Sequence, residues 1–132
     1  MPQAVDIRCR ERAPDCLWPS DNSLDIPLLD DEMQAGVLDL PVNIWGSRGR
    51  TKLTRQSATL LFYTDDYRFE ALWRRPEAVV SGSVINAGEA NFSVYQTMPL
   101  AQAIFQVYRK RWLARYWQRC GVRIFVDMNV AP

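Results

Sequence analysis

The chain has 132 residues, which is enough for one domain with a sizeable core and too few for two ordinary domains. Hydrophobic residues make up 48% of the chain, but no apolar run approaches the roughly 18 to 20 residues of a membrane span. Residues 1–15 carry charges where a signal peptide has its apolar stretch. A globular, cytoplasmic protein is therefore predicted. Because the chain contains no histidine, a Ser-His-Asp triad, a Cys-His pair and an HExxH zinc site are excluded.

The charge is unevenly distributed along the chain, although the net charge is only +1. Residues 1–43 carry nine acidic and three basic residues, a balance of −6, whereas residues 44–132 carry thirteen basic and six acidic residues, a balance of +7. Such asymmetry is a recognised hint of nucleic-acid contact. It is equally expected if the acidic part folds back and neutralises the basic part, so composition leaves both interpretations open.

Prolines interrupt the acidic N-terminal part at positions 2, 14, 19, 27 and 41, which is too often for long regular structure. We therefore predict that residues 1–40 form an irregular acidic arm, with one short helical turn near residues 30–35. Residues 41–132 are predicted to form a single α/β domain.

Strands and helices are predicted to alternate in this domain. Runs of β-forming residues predict five strands, at residues 40–45, 57–64, 78–85, 91–95 and 121–130, with a turn at NAGEA (86–90) between the third and the fourth. A short helix is predicted at residues 65–75, and the longest helix at residues 98–119, with Thr97 as its N-cap and Gly121 just past its end. The alternation predicts a small α/β domain with a mostly parallel or mixed sheet of about five strands and one long C-terminal helix.

Acidic residues follow several of the predicted strands, and ligands of open parallel sheets bind beyond the carboxyl ends of the strands. Asp65, Asp66, Glu70 and Asp127 are therefore candidate catalytic residues, and the three aspartates are candidate ligands of Mg²⁺. The structural alternative is that one aspartate caps the short helix while Glu70 pairs with Arg74. No cofactor is predicted except Mg²⁺ under this metal hypothesis.

Two basic segments are candidates for nucleic-acid binding. The loop GSRGRTK lacks a Walker A or GxGxxG pattern, but its glycines permit close approach to a phosphate, and the adjacent Trp offers a stacking surface. Arginines recur at every fourth position of the long helix, a pattern that suits a phosphate backbone. The alternatives are a plain surface loop and a solvated helix face, with Leu100, Ile104 and Val107 packed on the sheet. The predicted binding residues are Trp45, Arg48, Arg50, Lys52, Arg55, Arg111, Arg115 and Arg119.

Two long segments carry a resemblance to a known family. FYTDDYRFEALWRRP and NFSVYQTMPLAQAIFQVYRKRWLARYWQRCGVRIF resemble, in order and spacing, the uncharacterised domain-of-unknown-function family 4417 of bacteriophages, plasmids and other mobile elements. The resemblance implies a mobile-element context, but it brings no activity and no catalytic residues. Family members continue past the strand in IFVDMNV, which implies a C-terminally shortened member, a fragment or one half of a divided protein. The matching motif positions are Asp65, Asp66, Tyr67, Phe69, Glu70, Trp73, Phe92, Ser93, Tyr95, Pro99, Tyr108, Arg109, Trp112, Tyr116, Trp117 and Gln118.

Three functional hypotheses follow. The leading one is a phage or plasmid protein that binds nucleic acid, or a nucleic-acid-processing complex, through the basic loop and the arginine-rich helix. The alternatives are a metal-dependent phosphodiesterase or hydrolase that uses the strand-end carboxylates, and a protein-interaction factor, such as an assembly subunit or host-defence antagonist, that acts through its acidic arm. The expected partners are nucleic acid or a nucleoprotein complex, with a protein partner or a second copy of the chain left open, and no membrane.

Overall fold

A computed structural model of the chain describes residues 18–46, 56–80 and 82–127. Within these ranges it contains four short strands and one long helix: β1 (Val42–Ile44), β2 (Thr59–Leu61), β3 (Asn86–Gly88), α1 (Leu100–Arg119) and β4 (Arg123–Phe125). Single 3₁₀ turns lie at Asp31–Met33, Asp66–Arg68, Glu70–Trp73 and Pro76–Ala78. None of the helices in the described ranges is long and apolar enough to cross a bilayer.

The strands form one parallel sheet in the order β1-β2-β3-β4, which confirms the predicted α/β class with four strands rather than about five. Asn43, Leu60, Ala87 and Ile124 are aligned across the sheet. Three of these, Leu60, Ala87 and Ile124, are buried, and they define the face on which the core lies. Because each strand alternates its side chains, the neighbouring residues point to the second face.

Helix α1 covers the core face of the sheet. The Trp117 ring stacks on the Phe62 ring, with 5.4 Å between the ring centroids, and the indole Nε1 of Trp117 donates to the carbonyl oxygen of Pro76 at 2.9 Å. Leu113 and Trp117 are fully buried, whereas Leu100 is 66% exposed. The prediction that Leu100 packs on the sheet is therefore wrong, because the aromatic residues in the second half of the helix set its rotation.

The ends of α1 differ in how well they were predicted. The helix begins at Leu100 with Pro99 in the N-cap position, so Thr97 is not the N-cap. At the other end, Gly121 adopts a φ of 95°, a left-handed conformation that favours glycine just past a helix. The prediction for the helix end is confirmed.

The described part of the acidic arm, residues 18–40, lies against the α/β domain. The backbone N–H of Ala35 donates to the carbonyl oxygen of Ile124 at 2.8 Å, so the arm occupies part of the open edge of β4. The carboxylate of Asp39 accepts from the side-chain amide of Asn86 at 2.6 Å. The predicted helical turn near residues 30–35 is confirmed by the 3₁₀ turn Asp31–Met33.

Two predicted strands and one predicted helix are wrong. In place of the predicted strand at 78–85, Ala78 ends the 3₁₀ turn Pro76–Ala78, and residues 79–80 and 82–85 are not in a strand. Strand β3 lies at residues 86–88, within the predicted turn. Residues 91–95, all of them described, form an irregular segment because Ser93 bonds to Asp66 rather than to a strand. In place of the helix at 65–75 there are two 3₁₀ turns, separated at the buried Phe69, whose φ of −128° does not fit a continuous helix.

Candidate functional site

The carboxyl ends of the four parallel strands lie along one edge of the sheet, here called the carboxyl edge. Since parallel sheets bind ligands at this edge, the segments that follow the strands form the candidate site. They are residues 45–46 after β1, 62–68 after β2, 89–95 after β3 and 126–127 after β4. Helix α1 starts on this side and ends near the start of β4, at the opposite edge, which we call the amino edge.

The base of the basic loop is fixed by Arg68. Its guanidinium donates to the carbonyl oxygen of Gly46 at 3.1 Å, and its own carbonyl oxygen accepts from the indole Nε1 of Trp45 at 3.1 Å. Gly46 has a φ of 85°, and a β-carbon there would lie 2.8 Å from Cβ of Arg68. A glycine is therefore required for the close approach of the two segments. The loop cations Arg48, Arg50, Lys52 and Arg55 lie outside the described residues.

Tyrosines at the carboxyl edge are exposed, whereas those in the long helix are not. Tyr63, Tyr67 and Tyr95 are 68%, 71% and 56% exposed, while Tyr116 in α1 is 6% exposed. The Arg68 guanidinium carbon lies 5.1 Å from the centroid of the Tyr67 ring, within the range of a cation–π contact. Trp45, the predicted stacking residue, is partly buried against Phe62, with 6.2 Å between ring centroids.

The candidate catalytic carboxylates bind different partners. Asp66 accepts from the backbone N–H and the hydroxyl of Ser93, Glu70 accepts from the guanidinium of Arg109, and Asp127 accepts from the ammonium of Lys110. Asp65 is exposed in the N-cap position of the turn Asp66–Arg68. The predicted structural pair of Glu70 with Arg74 is therefore replaced by a pair with Arg109, which lies far away in sequence.

A polar network connects these partners across three segments. The carbonyl oxygen of Ser93 accepts from the side-chain amide of Gln106 at 3.3 Å, and the Gln106 carbonyl in turn accepts from Arg109. The Arg109 guanidinium carbon lies 3.9 Å from the centroid of the Phe92 ring. Through Arg109, the network reaches Glu70, so it joins the segment after β2, the segment after β3 and α1.

A second polar network lies beneath the ends of β3 and β4. The buried carboxylate of Glu89 accepts from the guanidinium of Arg111 and, at 2.8 Å, from the backbone N–H of Asp127. The fully buried ammonium of Lys110 pairs with the carboxylate of Asp127 at 2.8 Å. Burial raises the pKa of the Glu89 carboxyl, and the Arg111 guanidinium opposes this shift.

The three predicted helix arginines have different environments. Arg111 is largely buried in its ion pair with Glu89, and the Arg115 guanidinium carbon lies 5.1 Å from the centroid of the Trp18 ring. Arg119 is exposed at the end of α1, on the amino edge. Arg119 therefore lies at the other end of the sheet from Gly46 and Arg68.

In the part of the chain that the structure describes, no group of three cysteine or acidic side chains is arranged to hold a metal ion. The proposed Mg²⁺ ligands Asp66 and Asp127 contact Ser93 and Lys110 respectively. Asp66 and Asp127 thus act as partners of protein donors at this edge.

Several residues of the site were not predicted from the sequence. Glu89 lies in a predicted turn. Lys110 is not one of the arginines that recur at every fourth position of the helix, so the pattern predicts no role for it. The motif positions Ser93 and Arg109 were recognised as part of a resemblance, without a role. An alternation of apolar and polar residues along β3 is the pattern that could have predicted the buried position of Glu89. The three residues of β3, Asn86–Gly88, have small or polar side chains and do not show this alternation.

Comparisons with known proteins give one family and two phage relatives. The sequence model of the family described as Domain of unknown function (DUF4417) matches residues 18–131. A Gene 1 protein of Mycobacterium phage D29 is 34% identical over 112 residues, which are 81% of this chain and 40% of that protein. A Gene 1 protein of Mycobacterium phage L5 is 38% identical over 80 residues, which are 58% of this chain and 34% of that protein. The chain thus spans well under half the length of these two relatives. No solved structure is significantly similar to it.

Proposed function

The chain belongs to the DUF4417 family, whose matched relatives are phage proteins, and on this premise we propose that it binds nucleic acid, or a nucleic-acid-processing complex, of a phage or other mobile element. The proposed binding surface is the carboxyl edge around Gly46 and Arg68, where the chain enters the basic loop. The observation that carries this proposal is the contact between Arg68 and the Gly46 carbonyl, which holds an exposed cation at the base of the loop.

Charge and geometry at the loop base support contact with phosphate. Arg68 adds a fifth positive charge to Arg48, Arg50, Lys52 and Arg55 of the loop. Only part of the Arg68 guanidinium is used in the bond to Gly46, and guanidinium groups match phosphate oxygens in charge and shape. Contacts between these five cations and phosphates would make binding strongly dependent on salt, because each neutralised phosphate releases condensed counterions.

The arginine-rich helix takes a smaller part in this proposal than the sequence predicted. Arg111 is committed to the buried carboxylate of Glu89, and Arg115 lies over Trp18. Arg119 is exposed but lies at the amino edge, at the end of a 20-residue helix about 30 Å long. A ligand that contacts both Arg68 and Arg119 would have to span the sheet from its carboxyl edge to its amino edge, so Arg119 is not part of the contact proposed at Arg68.

The other two hypotheses have less support. A metal-dependent hydrolase needs carboxylates free for a metal ion, and Asp66, Glu70 and Asp127 accept from Ser93, Arg109 and Lys110. A protein-interaction factor would use exposed acids of the arm, such as Asp21 and Asp25, whereas other parts of the arm contact the α/β domain. The protein-interaction hypothesis predicts that the loop cations contribute little to nucleic-acid binding.

The proposal is tested by fluorescence anisotropy with a labelled oligonucleotide at about 50 and about 200 mM salt. The double variant R48Q/R50Q should bind more weakly than the parent and show a shallower dependence on salt. The matched control R74Q/R75Q removes two exposed arginines that follow the turn Glu70–Trp73 and should keep the parent's affinity. Equal affinities for the parent and both variants would contradict the proposal and favour the protein-interaction alternative.

A further inference from the structure

The exposed tyrosines are the feature of the carboxyl edge that phosphate binding leaves unexplained. Tyr63, Tyr67 and Tyr95 present more than half of their surface to solvent, and each lies in a segment that follows β2 or β3. The remaining tyrosines, Tyr108 and Tyr116, lie in α1 and pack against Trp73 and Trp112. Exposure of tyrosine is thus confined to the edge at which Arg68 contacts Gly46.

Two contacts fix the backbone segments that carry Tyr67 and Tyr95. The double hydrogen bond between Asp66 and Ser93 ties the segment that carries Tyr67 to the segment that carries Tyr95. Arg68 lies over the Tyr67 ring and is itself anchored to Gly46, at the base of the loop. Aromatic rings that are fixed beside cations resemble the stacking positions of proteins that bind single-stranded nucleic acid.

We infer that the carboxyl edge recognises single-stranded nucleic acid, with unpaired bases stacked on Tyr67 and Tyr95, and that Tyr63 offers a further stacking position. This inference rests on the proposed function and names its ligand class. In a duplex, the bases are already stacked on one another and their faces are not accessible to a side chain. A single strand exposes those faces, while its phosphates reach the guanidinium of Arg68, which lies over the Tyr67 ring.

The test compares binding of a labelled 15-nucleotide oligo-dT, the matching oligo-U and a 15-base-pair duplex to the parent and to two double variants. In Y67L/Y95L the rings are lost but apolar side chains remain, and we expect single-strand affinity to fall about tenfold or more, with duplex affinity unchanged. Y67F/Y95F keeps both rings and should bind like the parent. Because stacking is uncharged, the salt dependence of Y67L/Y95L should equal that of the parent. Comparing oligo-dT with oligo-U shows which nucleic acid is preferred.

Each outcome separates the inference from the proposed function. Suppose that binding of the single strands and of the duplex depends on Arg48 and Arg50, while Y67L/Y95L binds the single strands like the parent. The stacking inference is then overturned and the proposed function stands. Equal weakening of single-strand and duplex binding in Y67L/Y95L also overturns the inference. If the parent binds neither single-stranded nor duplex nucleic acid, the inference and the proposed function are both overturned, and the tyrosines are better assigned to a protein interface. Thermal melts of the variants should match the parent, since both substituted side chains are exposed.

Discussion

The carboxylate of Asp66 accepts hydrogen bonds from both the backbone N–H and the hydroxyl of Ser93, each at 2.9 Å. These residues belong to two separate motifs by which the chain resembles its family. Their contact gives the motifs a common physical role, because it fixes the segment after β2 to the segment after β3 at the carboxyl edge. The acidic motif thus builds the edge of the sheet, where the sequence had suggested a metal site.

Loss of this contact should have a measurable cost. Ser93→Ala removes one of the two bonds and should lower the free energy of unfolding by about 1 kcal/mol, and Asp66→Ala should cost somewhat more because it removes both. The control is Asp65→Ala, which replaces an exposed neighbour and should change stability little. Urea denaturation of the three variants measures the differences. Equal stability of the Asp65 and Asp66 variants would mean that the contact does not hold the edge.

The arginines of α1 should differ sharply in their effect on stability. At a pH above the raised pKa of Glu89, Arg111→Gln leaves the buried carboxylate of Glu89 without its ion-pair partner and should cost about 3 to 5 kcal/mol. Arg119→Gln changes an exposed side chain and should have almost no effect. Thermal or chemical denaturation measures both. A cost for Arg111→Gln as small as that for Arg119→Gln would show that the ion pair with Glu89 is not formed.

The raised pKa of Glu89 predicts a specific dependence of stability on pH. Burial raises the pKa of this carboxyl, so in the folded state it retains a proton that the unfolded chain has already released. Its contribution to stability is complete below the ordinary glutamate pKa and is lost as pH rises through the raised pKa. Glu89→Gln lacks this loss, because glutamine does not ionise.

We therefore expect the stability of Glu89→Gln, relative to the parent, to increase with pH across that window and then to level off. Urea denaturation of both proteins between about pH 4 and pH 8 measures the difference. Other titrating groups are common to the two proteins and largely cancel in the comparison. A difference that is independent of pH would show that the Glu89 pKa is not raised.

The core beneath the site should depend on the second half of α1. Trp117→Ala removes a fully buried ring that stacks on Phe62, and it should cost about 3 to 5 kcal/mol. Leu100→Ala, at an exposed position of the same helix, should cost less than about 1 kcal/mol. Trp117→Phe keeps much of the ring but loses the bond to Pro76, so it should fall between the two. Thermal melts that rank Leu100→Ala as the most damaging would contradict this rotation of the helix.

The sequence predicted those elements whose local signals are strong. The apolar strands β1 and β2 and the long helix with Gly121 after it have clear patterns, and the structure confirms them. Strand β3 has the sequence NAG and was predicted as a turn, because asparagine and glycine favour turns. Its pairing with β2 and β4, together with the bond from Asn86 to Asp39, overrides that preference.

The site was less predictable, because its contacts join residues that are distant in sequence. Glu70 was expected to pair with Arg74 at helical spacing, yet residues 65–75 form 3₁₀ turns and Glu70 reaches Arg109 instead. Likewise, the regular spacing of the helix arginines could not show that Glu89 lies buried beside Arg111. Periodicity gives the face of a helix, whereas the partner on that face depends on the tertiary fold.

The central claim is that nucleic acid binds at the carboxyl edge beside Arg68, and it is tested most directly with two substitutions in one turn. Asp65 and Arg68 are joined by a backbone hydrogen bond of 3.0 Å, and both side chains are exposed. In an anisotropy titration with a labelled single strand, Arg68→Gln should bind about two- to fivefold more weakly than the parent, and Asp65→Asn should bind more tightly by a similar factor. Both shifts should shrink as salt is added. No binding by the parent, or identical affinities for the two variants, would contradict the claim.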